Sequence, residues 1–186
     1  MRSICVFCGS NPGHRPEYMD LARETGRLIA ERQLTLVYGG GKVGLMGALA
    51  DSALAAGGRV VGIIPQMLLE REAGHRGLTD LRVVSTLSER KFQMGVMSDA
   101  FLTLPGGIGT MDELFEAWSW AQLGLHKKPS GLLNFRGYYD HLVQYLDLAV
   151  SEGFQQAQHR AALLVGTEVG PLLDQLQAAA KIAPAA

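Results

Sequence analysis

The stretch Pro105-Gly106-Gly107-Ile108-Gly109-Thr110-Met111-Asp112-Glu113 combines a glycine turn, a hydroxyl and a carboxylate at close spacing. It follows the apolar run Ala100 to Leu104 and precedes the helical run Leu114 to Leu123, so it reads as strand, loop, helix. Glycines let the backbone turn sharply and come within hydrogen-bonding distance of a ligand. The first amides of the following helix point outward unpaired, with the positive end of the dipole behind them. That combination is an anion site. Glu113, one turn into the helix, sets a carboxylate within a small molecule's length of a bound phosphate, which points to a nucleotide or sugar-phosphate substrate. The same spacing also reads as a capping box, with Thr110 satisfying an early helix amide and Glu113 reaching back to the Thr110 amide. The two readings are not exclusive.

A second glycine stretch, Gly39-Gly40-Gly41-Lys42-Val43-Gly44, satisfies G-x-G-x-x-G between a strand and a helical run. A dinucleotide site also needs an acid at the end of the next strand, and Val60 to Ile64 ends instead in Pro65-Gln66. Lys42 is not in the G-K-[ST] order of a Walker loop. The stretch remains a backbone cradle for a nucleotide. Thr86 and Glu89 make another capping box, opening a helix whose first turns carry Arg90 and Lys91. Two cations there oppose the helix dipole, so they read either as solvated surface charges or as partners for an anion. His75 lacks metal-ligand spacing and reads as a surface histidine in a polar loop, Met67 to Gly77. Cys5 and Cys8, three apart in and after a strand, face opposite ways and read as buried structural thiols.

The rest of the chain supplies the elements that position these groups. Its 186 residues, 47% hydrophobic with 23 glycines, suit one α/β domain over residues 1–182, with 183–186 as a frayed tail. A formal net charge of −1 recommends neither nucleic acid nor an acidic membrane as a partner. The leading apolar run, Ile4 to Phe7, is too short for a signal core or a membrane span, so a cytoplasmic protein is expected. Strands are expected at Ile4–Phe7, Leu34–Tyr38, Val60–Ile64, Leu81–Val84, Ala100–Leu104, Gly131–Phe135 and Ala162–Val165. Helices are expected at Pro16–Arg32 (weakened by Gly26), Leu45–Ala56, Leu114–Leu123, Tyr138–Val150 and Gly170–Ala180, besides the one after Thr86. Such alternation predicts a Rossmann-like open parallel sheet with helices on both faces and the ligand at the carboxyl ends of the strands. The helix with Trp118 and Trp120 is apolar around most of its circumference, which predicts a subunit contact.

Pro105 to Glu113 resembles the P-G-G-x-G-T-x-x-E signature of the Lonely guy proteins, cytokinin riboside 5'-monophosphate phosphoribohydrolases. Further likeness lies in Cys8-Gly9-Ser10, Tyr38 to Gly41, Gly44-Leu45-Met46-Gly47, Arg90-Lys91, Trp120 to Gly124 and Lys128-Pro129, and it runs from Cys8 to about Phe154. The resemblance implies a Rossmann-like, commonly dimeric enzyme that hydrolyses the N-glycosidic bond of adenine-type nucleoside 5'-monophosphates, with no cofactor or metal. It implies Arg90 and Glu113 as the catalytic pair. Substrate contacts would come from Ser10, Gly40, Gly41, Lys91, Met94, Gly106, Gly107, Gly109 and Thr110. Leu87-Ser88 stands where the family has Met-His before its Arg-Lys pair, a departure that bears on substrate fit. Some relatives carry a lysine-decarboxylase label, but no feature here specifies a pyridoxal-phosphate lysine. A rival reading is a non-catalytic carrier or sensor of a nucleotide-like cofactor, which would use the same phosphate loops without needing Glu113 as a base.

Overall fold

Apolar residues alternate between two faces along β1 (Ser3–Phe7): Ile4 and Val6 join one buried cluster, Cys5 and Phe7 another. A strand buried on both faces needs helices on both. On one side lie α1 (Pro16–Glu31), α2 (Gly44–Ala55) and α8 (Val169–Ile182), contributing Leu21, Ile29, Leu49, Ala53, Leu172 and Leu176. On the other, α4 (Leu87–Val96) contributes Met94, and α5 (Ile108–Gln122) contributes Ala117. A third cluster joins Leu114 and Trp118 of α5 to Leu146 of α6 (Asp140–Ser151). This computed structural model describes residues 1–69 and 74–182.

The parallel sheet runs β4-β3-β2-β1-β5-β6-β7, with β2 (Thr35–Tyr38), β3 (Val60–Pro65), β4 (Asp80–Val84), β5 (Phe101–Thr103), β6 (Ser130–Leu133) and β7 (Leu163–Gly166). The chain builds outward from β1 in one direction through β4, then returns to β1's other side with β5. Register pairs Cys5 with both Val37 and Phe101. Helices following β1 and β5 leave for opposite faces, opening a crevice at the carboxyl ends of these two strands, the switch point at which open α/β sheets bind ligands. Short helices α3 (Gln66–Leu69) and α7 (Ala157–Ala161) and a 3-10 turn (Phe135–Gly137) complete the described elements.

Several boundaries differ from the sequence expectation for identifiable reasons. Gly26 does not weaken α1: a Cβ there would strike the Leu49 carbonyl, so glycine lets α1 and α2 pack closely. Strand β6 stops at Leu133 because Arg136 and Gly137 adopt left-handed φ of 52° and 74°, turning the chain before α6, which begins at Asp140 rather than Tyr138. The polar loop from Met67 contains α3 at its start, while Glu70, Arg71, Glu72 and Ala73 lie outside the described residues, as does the 183–186 tail. His75 is buried, not on the surface: its Nε2 lies 2.7 Å from Asp51 Oδ1 and its Nδ1 accepts a bond from the Gly77 amide. Cys5 and Cys8 are free and buried in different clusters, and burial pushes both thiols up, with the Glu113 charge adding to it. Among the described residues no helix is long and apolar enough to cross a membrane.

Candidate active site

The crevice at the switch point holds a cavity of about 380 Å³. Three helices present their first turns to it: α1 with Tyr18, α2 with Leu45 and Met46, and α5 with Ile108, Gly109 and Thr110. Convergent amino-terminal ends give the space a positive electrostatic character suited to an anion. The loop after β1, including Gly9, Ser10 and Asn11, and the loop after β5, Pro105 to Gly107, form its floor and one wall. They are tied together by the Gly9 amide, which donates to the Pro105 carbonyl at 3.1 Å.

The α5 loop differs from the capping-box reading. Helix α5 starts at Ile108 with Gly107 as its N-cap in extended backbone, and Gly107 has no side chain to cap with. Thr110 is therefore the third residue inside the helix, not its cap, and Thr110 with Glu113 does not form a capping box. The glycines serve space rather than unusual dihedrals. A Cβ at Gly106 would collide with the Thr110 hydroxyl, whereas at Gly107 and Gly109 it would meet nothing within 4 Å, so those two keep the first helix turn bare toward the cavity. Ile108, 89% exposed, stands at the rim.

Glu113 and Arg90 face each other across the cavity's inner end, with Arg90 Nη1 3.7 Å from Glu113 Oε1 and their side chains only 9% and 12% exposed. Arg90 is no solvated surface charge. Its Nε donates to the Ile63 carbonyl at 3.2 Å and its Nη2 to the Gly39 carbonyl at 3.1 Å, so the ends of β2 and β3 fix the plane of the guanidinium. Gly39 is required by this packing, since a Cβ would overlap Nη2. Helix α4 carries Arg90 one turn in, beyond an N-cap in which Thr86 accepts from the Glu89 amide at 3.0 Å and Glu89 accepts from the Ser85 amide at 2.9 Å. This capping box forms, with Ser85 as the reciprocal donor in place of Thr86.

Ser10, Arg90, Gly106, Gly107, Gly109, Thr110 and Glu113 thus converge on one cavity. Gly40, Gly41, Lys91 and Met94 do not line it. Gly40 takes a left-handed φ of 77° against Ile63 and Ile64 and accepts from the His75 amide, and Gly41 accepts from the Tyr38 hydroxyl; both shape the turn behind Gly39. Lys91 turns to the flank of α5, 3.0 Å from Asp112 and 2.7 Å from Glu116. Those hydrogen bonds and charges raise its pKa, although burial alone would lower it. Met94 is core, packed with Cys5, Val61 and Phe101. Sequence reasoning missed Tyr18 and Tyr138 on the cavity wall, whose rings meet edge to face at 5.7 Å. Nothing local marks them; β6 lying beside β5 brings Tyr138 to the site.

Residues 46–176 match the family described as possible lysine decarboxylase. The cytokinin riboside 5'-monophosphate phosphoribohydrolase LOG of Oryza sativa subsp. japonica is 44% identical over 176 residues, 95% of this chain and 73% of that protein. LOG7 of Arabidopsis thaliana, named for the same activity, is 43% identical over 95% of this chain and 81% of its own length. Among solved structures, the molybdenum cofactor binding protein of Rippkaea orientalis superposes with a TM-score of 0.71 over 96% of this chain and 97% of that one; at 20% identity this likeness speaks to the fold alone. With a switch-point cavity, a glycine-bare helix turn and relatives this similar over nearly its whole length, the chain belongs to the cytokinin riboside 5'-monophosphate phosphoribohydrolase family.

Proposed function

We propose that this protein is a hydrolase that cleaves the N-glycosidic bond of adenosine 5'-monophosphates, N6-modified or plain, to free base and ribose 5-phosphate. The observation that carries this reading is the buried Arg90 and Glu113 pair at the inner end of a cavity into which the first turn of α5 opens. Breaking a ribosyl C1'–N bond passes through an oxocarbenium-like state. Glu113 stabilises that charge and takes a proton from the attacking water; the water oxygen bonds to C1', the bond electrons leave with the base, and the base takes up the proton that Glu113 received. Arg90, held by the Gly39 and Ile63 carbonyls, orients the Glu113 carboxylate. The loop Gly106 to Thr110 anchors the 5'-phosphate, so that phosphate binding energy places C1' beside Glu113. No lysine stands among the described residues that line the cavity, which gives a pyridoxal-phosphate decarboxylase no Schiff-base partner there.

Incubation with AMP and with N6-isopentenyl-AMP, followed by assay of free base and ribose 5-phosphate, tests the reading. Both monophosphates are expected to be cleaved, and the matching nucleosides little or not at all. Equal catalytic efficiency on AMP and adenosine would sink the phosphate anchor, and no cleavage of any monophosphate would sink the hydrolase. A cytoplasmic setting and a homodimer are part of the proposal. The second draws support from the exposed Phe92 and Val96 of α4 and Leu123 just past the end of α5.

A further inference from the structure

Three consecutive carbonyls at the entry to the α5 loop are each held by another segment. Leu104 O accepts from the Tyr139 hydroxyl at 2.8 Å, Pro105 O from the Gly9 amide at 3.1 Å, and Gly106 O from the Tyr138 hydroxyl at 2.8 Å. The two phenols come from one turn. Asn134 Oδ1 accepts from the Tyr139 amide at 2.7 Å, its Nδ2 donates to Asp140 at 2.7 Å, and the left-handed Arg136 and Gly137 between them reverse the chain. Tyr138 and Tyr139 pack edge to face at 4.8 Å, and Tyr18 packs edge to face on Tyr138 at 5.7 Å. Burial pushes the Tyr139 phenol up, which keeps it a donor throughout the ordinary pH range.

We propose that Tyr138 and Tyr139 are positioning residues that brace the phosphate loop, setting the direction of its amides before any ligand arrives. The proposal rests on the reading of that loop as the 5'-phosphate anchor. In a trans peptide the carbonyl of one residue and the amide of the next share a plane and point in opposite directions. Holding Gly106 O therefore fixes where the Gly107 N–H points, and holding Leu104 O fixes the strand end from which the loop springs. Gly107 has no side chain, and a Cβ there would meet nothing within 4 Å, so no side chain of its own anchors this peptide; the Tyr138 bond to the Gly106 carbonyl supplies an anchor. An unbraced glycine peptide rotates at little cost, and an anion would then have to order it on binding.

The test uses Tyr138→Phe and Tyr139→Phe, which remove one hydroxyl each and keep the rings. Binding of ribose 5-phosphate and of adenine is measured by calorimetry, alongside AMP turnover. Either variant is expected to weaken ribose 5-phosphate about 5- to 10-fold, the scale of one lost hydrogen bond, to raise KM for AMP similarly with a smaller change in kcat, and to leave adenine binding unchanged. Because Tyr138 also lines the cavity, its hydroxyl alone could touch the ligand; selective loss in Tyr138→Phe with none in a folded Tyr139→Phe would overturn the brace. Equal losses for ribose 5-phosphate and adenine would overturn it as well, as general loosening. If Tyr139→Phe fails to fold, Asn134→Ala, which loosens the turn carrying both phenols and lies outside the cavity lining, takes its place: a selective loss of ribose 5-phosphate affinity is expected, and unchanged affinity overturns the brace. A parent protein that binds ribose 5-phosphate and AMP but cleaves nothing would remove the hydrolase reading and leave the brace to be read from binding; a parent that binds neither overturns both.

Discussion

Glu113 has two possible occupations in the sequence, capping and chemistry, and the structure removes the first by placing Thr110 inside α5. Glutamine matches glutamate in size but cannot take a proton from water or carry the charge that steadies an oxocarbenium ion. Glu113→Gln is therefore expected to lower kcat for AMP by a factor on the order of a hundred or more while ribose 5-phosphate still binds. Wild-type turnover in that variant would refute the mechanism. The partner residue needs a gentler probe than truncation, because Arg90 is 8% exposed and donates to two buried carbonyls, so Arg90→Ala would lower stability along with activity. Gly39→Ala reaches it indirectly. The added methyl overlaps Arg90 Nη2 and forces the guanidinium off its carbonyls, at a cost of roughly 1–3 kcal/mol by overpacking. Turnover should fall with the melting temperature, and a Gly39→Ala enzyme as active and stable as the parent would show that Arg90 does not need this seat. The pairing of Arg90 with Glu113 was legible only through family resemblance; their 22 intervening residues carry no local signal, and α4 and α5 come together only once the sheet is ordered.

At the scale of elements, period and punctuation read well where the chain obeys local rules. Buried strands appear as short apolar runs, and the Thr86 cap predicts α4 because capping is decided within four residues. Reading failed where a distant partner decides. Gly26 is a packing contact with α2, His75 is buried by Asp51 and the Gly40 turn, and the Tyr138 turn is shaped by two left-handed residues, one of them an arginine. Asp99 is another long-range fastening, joining the start of β5 to the start of β1 by accepting from the Arg2 and Ser3 amides. Burial raises its pKa, but those amide bonds prevail and hold the carboxyl below its ordinary value. A carboxyl lowered in the folded state adds stability above its unfolded pKa of about 3.9, and that contribution is lost as the pH falls through the lower folded value. Asp99→Asn should thus lower the melting temperature at pH 7 and flatten its decline below about pH 4. Parallel melting curves for parent and variant at every pH would show that the fastening contributes no charge-dependent stability.

For the whole molecule, the parallel sheet and the location of its ligand crevice follow from alternation of strands and helices, and the structure adds which strands flank the switch point. The outer surface was harder to read. The helix bearing Trp118 and Trp120 is expected near a subunit contact, and within it Trp118 is buried in its own chain, donating Nε1 to the His159 carbonyl at 3.1 Å. Trp120 is left half-exposed on α5. It lies beside α4, since a Cβ on Gly95 would meet the Trp120 ring at 3.9 Å, and Lys91 ties the same two helices together through Asp112 and Glu116. On α4, Phe92 and Val96 are one turn apart and 57% and 62% exposed, and Leu123 just past α5 is 73% exposed. An apolar surface spread over two adjoining helices matches the core of a subunit interface better than a solvated face. We expect the parent to scatter as a dimer across a concentration series. Phe92→Glu places a charge within that surface, where an unpaired buried carboxylate costs several kcal/mol; it should weaken dimerisation by about a hundredfold or more and leave the monomer folded, because Phe92 is not part of the core. A parent that scatters as a monomer at every concentration, or a Phe92→Glu dimer as tight as the parent's, would place the subunit contact elsewhere or remove it.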